Sequence, residues 1–168
     1  TTLYAYWVAK TYTVDFDAEL AANAVITVRQ GSVSNVYNGT PMSFAFGTAL
    51  SVTVTARDGF KLVSWRNEAL THTKEKSFSF TVPAENTTLT GVVLPVCTVP
   101  SFTVDFVNEV LTAPGGIPAG DYVLRSGDTD YAFTGEGQAF SLSGCFGSTV
   151  RIFCRGDGKT TADSEWID

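Results

Sequence analysis

The stretch from Leu50 to Val93 constrains the fold of this chain more than any other. Its first part, Leu50-Ser51-Val52-Thr53-Val54-Thr55-Ala56, alternates apolar and hydroxyl side chains, and Phe78-Ser79-Phe80-Thr81-Val82 repeats the alternation further on. A period of two sends successive side chains to opposite faces, so each run reads as a strand with one buried face and one wet face. Between them Asp58-Gly59 marks a turn, because Gly accepts positive φ without steric cost and Asp hydrogen-bonds its own backbone. Trp65 closes the next strand, and an aromatic that buries roughly 150–250 Å² is the expected anchor of a small core.

A second feature is repetition. Thr1-Thr2-Leu3-Tyr4-Ala5-Tyr6-Trp7 reads as an apolar strand, followed by the connector Val8-Ala9-Lys10 and the alternating run Tyr12-Thr13-Val14-Asp15-Phe16. The same order returns as Thr87-Thr88-Leu89-Thr90-Gly91-Val92-Val93 and then Phe102-Thr103-Val104-Asp105-Phe106. A closing strand and an opening strand that recur one module apart are the mark of tandem modules. The expected division is therefore residues 1–10 as the closing strand and connector of a truncated preceding repeat, 11–96 as one β-module, and 97–168 as a second. The chain opens at Thr1 with no Met or leader and stops at Asp168 in a strand-like stretch, so it is expected to be a fragment.

Within the middle module, Ala24–Gln30 and Gly31–Tyr37 read as strands, Asn38-Gly39-Thr40-Pro41 as a turn, and Asp17–Ala22 as either a short helical turn or a loop. From Cys97 onward, the short runs Tyr122–Leu124, Tyr131–Phe133, Phe140–Leu142 and Val150–Cys154 are separated by Gly-rich turns, the rhythm of a small sandwich or barrel. The fold class is all-β, in tandem small modules: a β-grasp-like or sandwich repeat, then an immunoglobulin- or fibronectin-like sandwich.

Charge and chemistry narrow the function. Acidic residues outnumber basic ones 17 to 11 and no basic run occurs, which argues against a nucleic-acid partner. No apolar run approaches the ~20 residues of a membrane-spanning helix. Cys97, Cys145 and Cys154 contain no C-x-x-C pair, and the pattern favours free thiols, with a Cys145–Cys154 bridge as the alternative.

The one His, His72, stands in a polar loop with no nucleophile turn near it, so a surface role is favoured over catalysis. Asp58, Glu68, Asp121 and Glu136 are candidates for a paired-carboxylate site, but scattered surface acids are the simpler reading. Asp128 and Asp130, with Asp157 or Asp163, offer oxygen ligands for Ca²⁺ in a spacing that completes no known loop. Lys10 and Lys61 lie on or beside strands, where an intramolecular isopeptide bond competes with ordinary snorkelling. Tyr4, Tyr6 and Trp7 form an aromatic cluster on which a sugar ring could stack, and they are the candidate ligand-binding residues.

Phe46-Gly47-Thr48, the Leu50–Ala56 run, Asp58-Gly59-Phe60-Lys61-Leu62-Val63-Ser64-Trp65, Phe78–Val82 and Asn86–Val93 together resemble the divergent internalin B-repeat type of bacterial surface module. Thr1–Trp7 with Tyr12–Phe16 looks like a junction between two repeats of the related Listeria–Bacteroides kind. The resemblance spans roughly the first 95 residues; it departs at Ser64, where the family usually has Gly before the Trp, and no family is recognised from Cys97 to Asp168. It implies an extracellular or cell-surface location and a non-catalytic role, without cofactor, as a stalk, spacer or adhesive unit of a large exported protein. Neighbouring repeats and a host or environmental glycan or protein are the implied partners. A carbohydrate-binding accessory module of a secreted glycan-degrading enzyme is the alternative, and a hydrolase the second.

Overall fold

A computed structural model describes residues 8–67, 76–105, 107–137, 139–143, 145 and 150–167. The chain divides into two compact units, Thr1–Val93 and Leu94–Asp168. Among the described residues there are fifteen strands and a single six-residue helix in several small sheets, so the all-β, multi-module expectation holds.

In the first unit the alternating runs form the strands they predict. β1 is Thr11–Phe16, β2 Ala24–Gln30, β3 Val33–Val36, β4 Met42–Ala45 and β5 Ala49–Ala56. β6 is Phe60–Trp65, β7 Ser77–Thr81, β8 Thr87–Leu89 and β9 Gly91–Pro95. The largest sheet runs β3-β2-β5-β7, all antiparallel. Its register sets Ile26 opposite Val54, Val28 opposite Val52, Val52 opposite Phe78 and Leu50 opposite Phe80. One apolar face is thereby assembled from three strands. Ile26, Val28, Leu50, Val52 and Val54 are all at most 2% exposed. Each such side chain contributes roughly 1.5–3 kcal/mol relative to leaving it in water.

Asp17–Ala22, left open between helix and loop, is helical. α1 spans Ala18–Asn23, and the Asp17 carboxylate caps it by accepting from Leu20 N–H at 3.0 Å. Leu20 plugs the core from this helix. The Asp58-Gly59 turn forms with Phe60 N–H donating to Arg57 C=O at 3.0 Å and Gly59 at φ 79°, a backbone conformation that favours Gly. Ser64, where a Gly is usual in the resembled family, sits half-buried inside β6.

The expected single closing strand from Thr87 to Val93 is two strands. β8 pairs with β1 and β9 with β6, and the break falls at Thr90. The Asn67 side chain causes it: its Oδ1 accepts from Thr90 N–H at 2.6 Å and its Nδ2 donates to Thr88 C=O at 2.8 Å, replacing ladder bonds. The next residue must then pass close to α1. A Cβ on Gly91 would lie 3.1 and 3.2 Å from the Leu20 methyls and 3.3 Å from Leu62 Cδ1, a fit that leaves little room for a larger residue.

The second unit contains β10 Thr103–Asp105, β11 Val110–Thr112, β12 Gly120–Ser126, β13 Thr129–Gly135, β14 Phe140–Ser141 and β15 Val150–Arg155. They form two three-stranded sheets, β10-β11-β14 and β13-β12-β15. β11 was not legible in the sequence, because three residues are too few to show a period. A run of ring contacts, Phe102 to Tyr122 at 5.9 Å, Tyr122 to Phe133 at 5.4 Å and Phe133 to Phe140 at 4.3 Å, threads this core.

The free-thiol reading is corrected here. Cys154 is bonded to Cys97, not to Cys145, with Cα atoms 5.8 Å apart, inside the usual range of about 4.4–6.8 Å. Cys97 N–H donates to Ala162 C=O at 2.9 Å, and this contact holds Cys97 against the segment that follows β15. Cys145 is the free thiol, 8% exposed among Leu111, Leu124, Leu142 and Ile152.

Candidate functional site

A groove of about 780 Å³ lies in the first unit where the end of β1, α1, the start of β2 and the residues after β3 meet. Phe16, Ile26, Ala21 and Ala24 supply its apolar floor, and Val25 and Val36 stand on its edge, 40% and 64% exposed. Asp15, Asp17, Tyr37, Asn38 and Arg57 supply the polar rim.

Each rim group is tied to the chain. The Tyr37 hydroxyl donates to Asp15 Oδ1, which also accepts from Phe16 N–H at 2.9 Å. The Tyr37 ring meets Phe16 edge-on at 5.0 Å. Arg57 Nε donates to Ala22 C=O at 3.0 Å and its N–H to Asn23 C=O at 2.9 Å, so a cation covers the carbonyl end of α1. Asn38 Oδ1 accepts from Thr40 N–H at 3.1 Å.

The hydrogen bond to Asp15 holds the Tyr37 phenol above its ordinary pKa, so it is a donor and not a phenolate at neutral pH. Burial raises the Asp17 carboxyl, with the Leu20 N–H opposing. The groove offers apolar contact flanked by donors and acceptors, a surface suited to binding. Sequence reasoning did not nominate it. Asp17 ahead of Ala-Glu-Leu-Ala-Ala is a capping signal that was there to find. The Tyr37 to Asp15 bond spans 22 positions and leaves no local trace.

Of the residues nominated from sequence, Tyr4, Tyr6, Trp7, Glu68 and His72 lie outside the described residues. Asp58 is exposed in its turn in the first unit; Asp121 and Glu136 are exposed in the second, where Asp121 accepts from Thr134 Oγ1 at 3.0 Å. Asp130 is engaged by both Nε and Nη2 of Arg125, at 2.6 and 2.8 Å. Arg125 in turn lies 4.6 Å over the Trp166 ring, which meets Phe153 edge-on at 4.5 Å.

Asp157 accepts from the N–H groups of Lys159, Thr160 and Thr161 at 2.9, 2.7 and 2.9 Å and from Thr160 Oγ1 at 2.7 Å. Asp163 accepts from Gly156 N–H at 2.9 Å. Of the carboxylates nominated for Ca²⁺, Asp130 is thus taken by Arg125, and Asp157 and Asp163 by nearby backbone N–H groups; among the described residues no group of three or more His, Cys, Asp or Glu converges. Lys10 is exposed, 5.2 Å over the Tyr12 ring, and Lys61 is half-buried on β6.

A pH prediction arises from these carboxylates. The Asn108 side chain and nearby N–H groups lower the Asp105 pKa, Arg125 lowers that of Asp130, and the Thr160 hydroxyl with three N–H groups lowers that of Asp157, all in the second unit. A folded-state pKa below the unfolded one stabilises above the unfolded value and is lost as pH falls through the folded one. Asp17 in the first unit is shifted upward, so its protonation favours the folded form. Acidification between about pH 5 and pH 2 is therefore expected to lower the stability of the second unit more than that of the first, by an amount that solvent screening of these exposed groups keeps small. Following the indole N–H signals of Trp166 and Trp65 by NMR checks the difference, and equal loss of both would contradict it.

Residues 24–92, from the start of β2 into β9, match the family model described as the divergent InlB B-repeat domain. This is the family that the residues around Asp58–Trp65 resemble. No curated protein and no solved structure matches the chain.

Proposed function

We propose that the chain is a non-catalytic piece of a large exported bacterial surface protein, and that its repeat module works as a spacer in a stalk. The observation that carries this is the parallel pairing of β1 with β8, with Val14 opposite Thr87, Asp15 opposite Thr88 and Phe16 opposite Leu89. When the first strand and a late strand of a module run side by side in one direction, the chain joins the ladder at one end and leaves it at the other. A six-residue strand spans about 20 Å, so the module is built to add length along a line of repeats.

The Cys97–Cys154 disulfide supports export, since such bonds persist in oxidising surroundings. The rim groups of the groove are held by the chain's own donors and acceptors, which supports binding or spacing over catalysis. Burial of Trp65 to 3% and the stacking of Arg125 on Trp166 weigh against a carbohydrate platform on those rings.

The test inserts the chain between a cell-wall anchor and a short epitope tag. Antibody access to the tag is expected to rise with each added copy, while the purified chain shows no saturable binding on a glycan and matrix-protein array. Saturable binding that is lost in Val36→Asp would replace the spacer with an adhesive unit using the groove.

A further inference from the structure

We propose that the Cys97–Cys154 disulfide is a covalent by-pass for tension in the second unit, and that its reduction turns the enclosed segment into releasable length. The inference takes its setting from the stalk reading, but the bond and its place in the chain stand apart from it.

The two cysteines are 57 positions apart in sequence, Cys97 near the start of the unit and Cys154 in β15. Once the hydrogen bonds to the segment after Arg155 have parted, a pull that arrives through Val96 crosses from Cys97 to Cys154 and leaves through Arg155, and residues 98–153 carry none of it. That closed segment contains the core of the unit: Leu111, Ile117, Tyr122, Leu124, Leu142 and Ile152 are all buried within it.

Outside the loop, the segments that flank it are fastened to each other. Val96 bridges Ala162 in parallel, with Cys97 N–H donating to Ala162 C=O and Ala162 N–H to Pro95 C=O, each at 2.9 Å. Parallel segments drawn apart by their opposite ends are loaded in shear, so these bonds resist together and do not unzip singly. Ile152 and Ile167 exchange two more bonds at 2.9 and 2.8 Å, and Ser164 N–H donates to Cys154 C=O at 2.9 Å. Tension thus meets a hydrogen-bonded clamp and, once that yields, a covalent stop.

The stop has a chemical release. Cys97 is half-buried while Cys154 is 3% exposed, so an incoming thiolate has its access at Cys97. A dithiol reductant attacks Cys97 Sγ and expels the Cys154 thiolate. Its second thiol then displaces Cys97 as a thiolate, the two cysteines take up two protons, and the reductant leaves as a cyclic disulfide. Fifty-seven positions at ~3.3–3.6 Å each correspond to about 190–205 Å of added reach.

The experiment stretches the full 168-residue chain by its two ends in a single-molecule force instrument, with and without a dithiol. In its absence the final contour length is expected to fall short of the fully extended chain by about 190–205 Å, and the shortfall to vanish in the dithiol. Cys145→Ser should keep the shortfall and Cys97→Ser should abolish it. The contour length is read on the unfolded chain, so the result does not depend on a variant folding. The proposal is overturned by full extension without reductant. It is equally overturned by a shortfall that survives in Cys97→Ser at about 30 Å, the reach of the nine positions from Cys145 to Cys154. A reductant-dependent release in a chain that adds no reach to the displayed tag would remove the stalk and leave the by-pass standing; the reverse pair of results would remove the by-pass alone.

Discussion

Cys97→Ser is expected to cost the second unit about 4 kcal/mol, a loss that unfolds it if its stability lies at the low end of the ordinary range. Closing a loop of 57 positions removes unfolded-chain entropy worth about 4 kcal/mol in the chain-entropy model. A unit the size of Leu94–Asp168 has a total stability of roughly 4–11 kcal/mol, so this single cross-link is a large share of it. Cys97 is the better site to change, because a serine at Cys154 would also place a hydroxyl in a position only 3% exposed. The core cluster of the first unit contains no cysteine and is expected to stay folded. Amide NMR in urea decides the matter: signals of β12 and β15 should collapse toward random-coil positions at lower urea than in the parent protein, while those of β2 and β5 persist. A urea midpoint for the second unit unchanged from the parent protein would show that the packing, not the cross-link, holds it.

Trp65→Ala is expected to cost about 3–5 kcal/mol in the first unit, the range for removing a buried large aromatic. The indole is 3% exposed, meets Phe78 edge-on at 4.8 Å, and packs in the cluster that contains Val14, Leu20, Leu62 and Leu89. It sits at the last position of β6, which among the described residues pairs with β9 alone, so collapse around the cavity would have to move a two-stranded ladder. Trp65→Phe should recover part of the loss by keeping a ring against Phe78. Urea unfolding monitored by far-UV circular dichroism, with the second unit followed separately by NMR, gives both values. A cost below about 1 kcal/mol would mean that the site refills and that Trp65 is not the anchor.

Much of the first unit was legible because its strands are half-buried. Ala24–Gln30 was read with both ends correct, and Leu50–Ala56, Phe60–Trp65 and Phe78–Val82 fall within a residue or two of the strands formed. Burial of one face imposes a two-residue period on the side chains themselves, and that period is visible without a fold. The Asp58-Gly59 turn was legible for a similar reason: one residue there must adopt φ 79°, and Gly does so most readily. Where the structure departs from expectation, a side chain distant in sequence intervenes. Asn67 splits the run from Thr87 to Val93 by taking the Thr90 N–H, an interaction across 23 positions.

The candidate site was less legible still. Tyr37 and Asp15 are set 22 positions apart, and neither has an unusual neighbour in the chain. β1 lies in one sheet and β2 and β3 in another, so only the packing of the two sheets brings them together. The same holds for the pairing of three cysteines: from spacing alone the near pair, Cys145 and Cys154, is as admissible as any.

By itself, then, the sequence determined what is decided within a few residues: the strand periods, the turns, the acidic balance that disfavours nucleic acid, and the motif that places residues 24–92 in a repeat family. Tertiary structure alone decided the parallel pairing of β1 with β8 across 73 positions, the Cys97–Cys154 bond across 57, and the groove rimmed by Asp15, Tyr37 and Arg57. The physical reason is that local preferences are set by backbone sterics and the burial of one face. Which distant segments meet depends on the free energy of the whole core, and no short window of residues carries that sum.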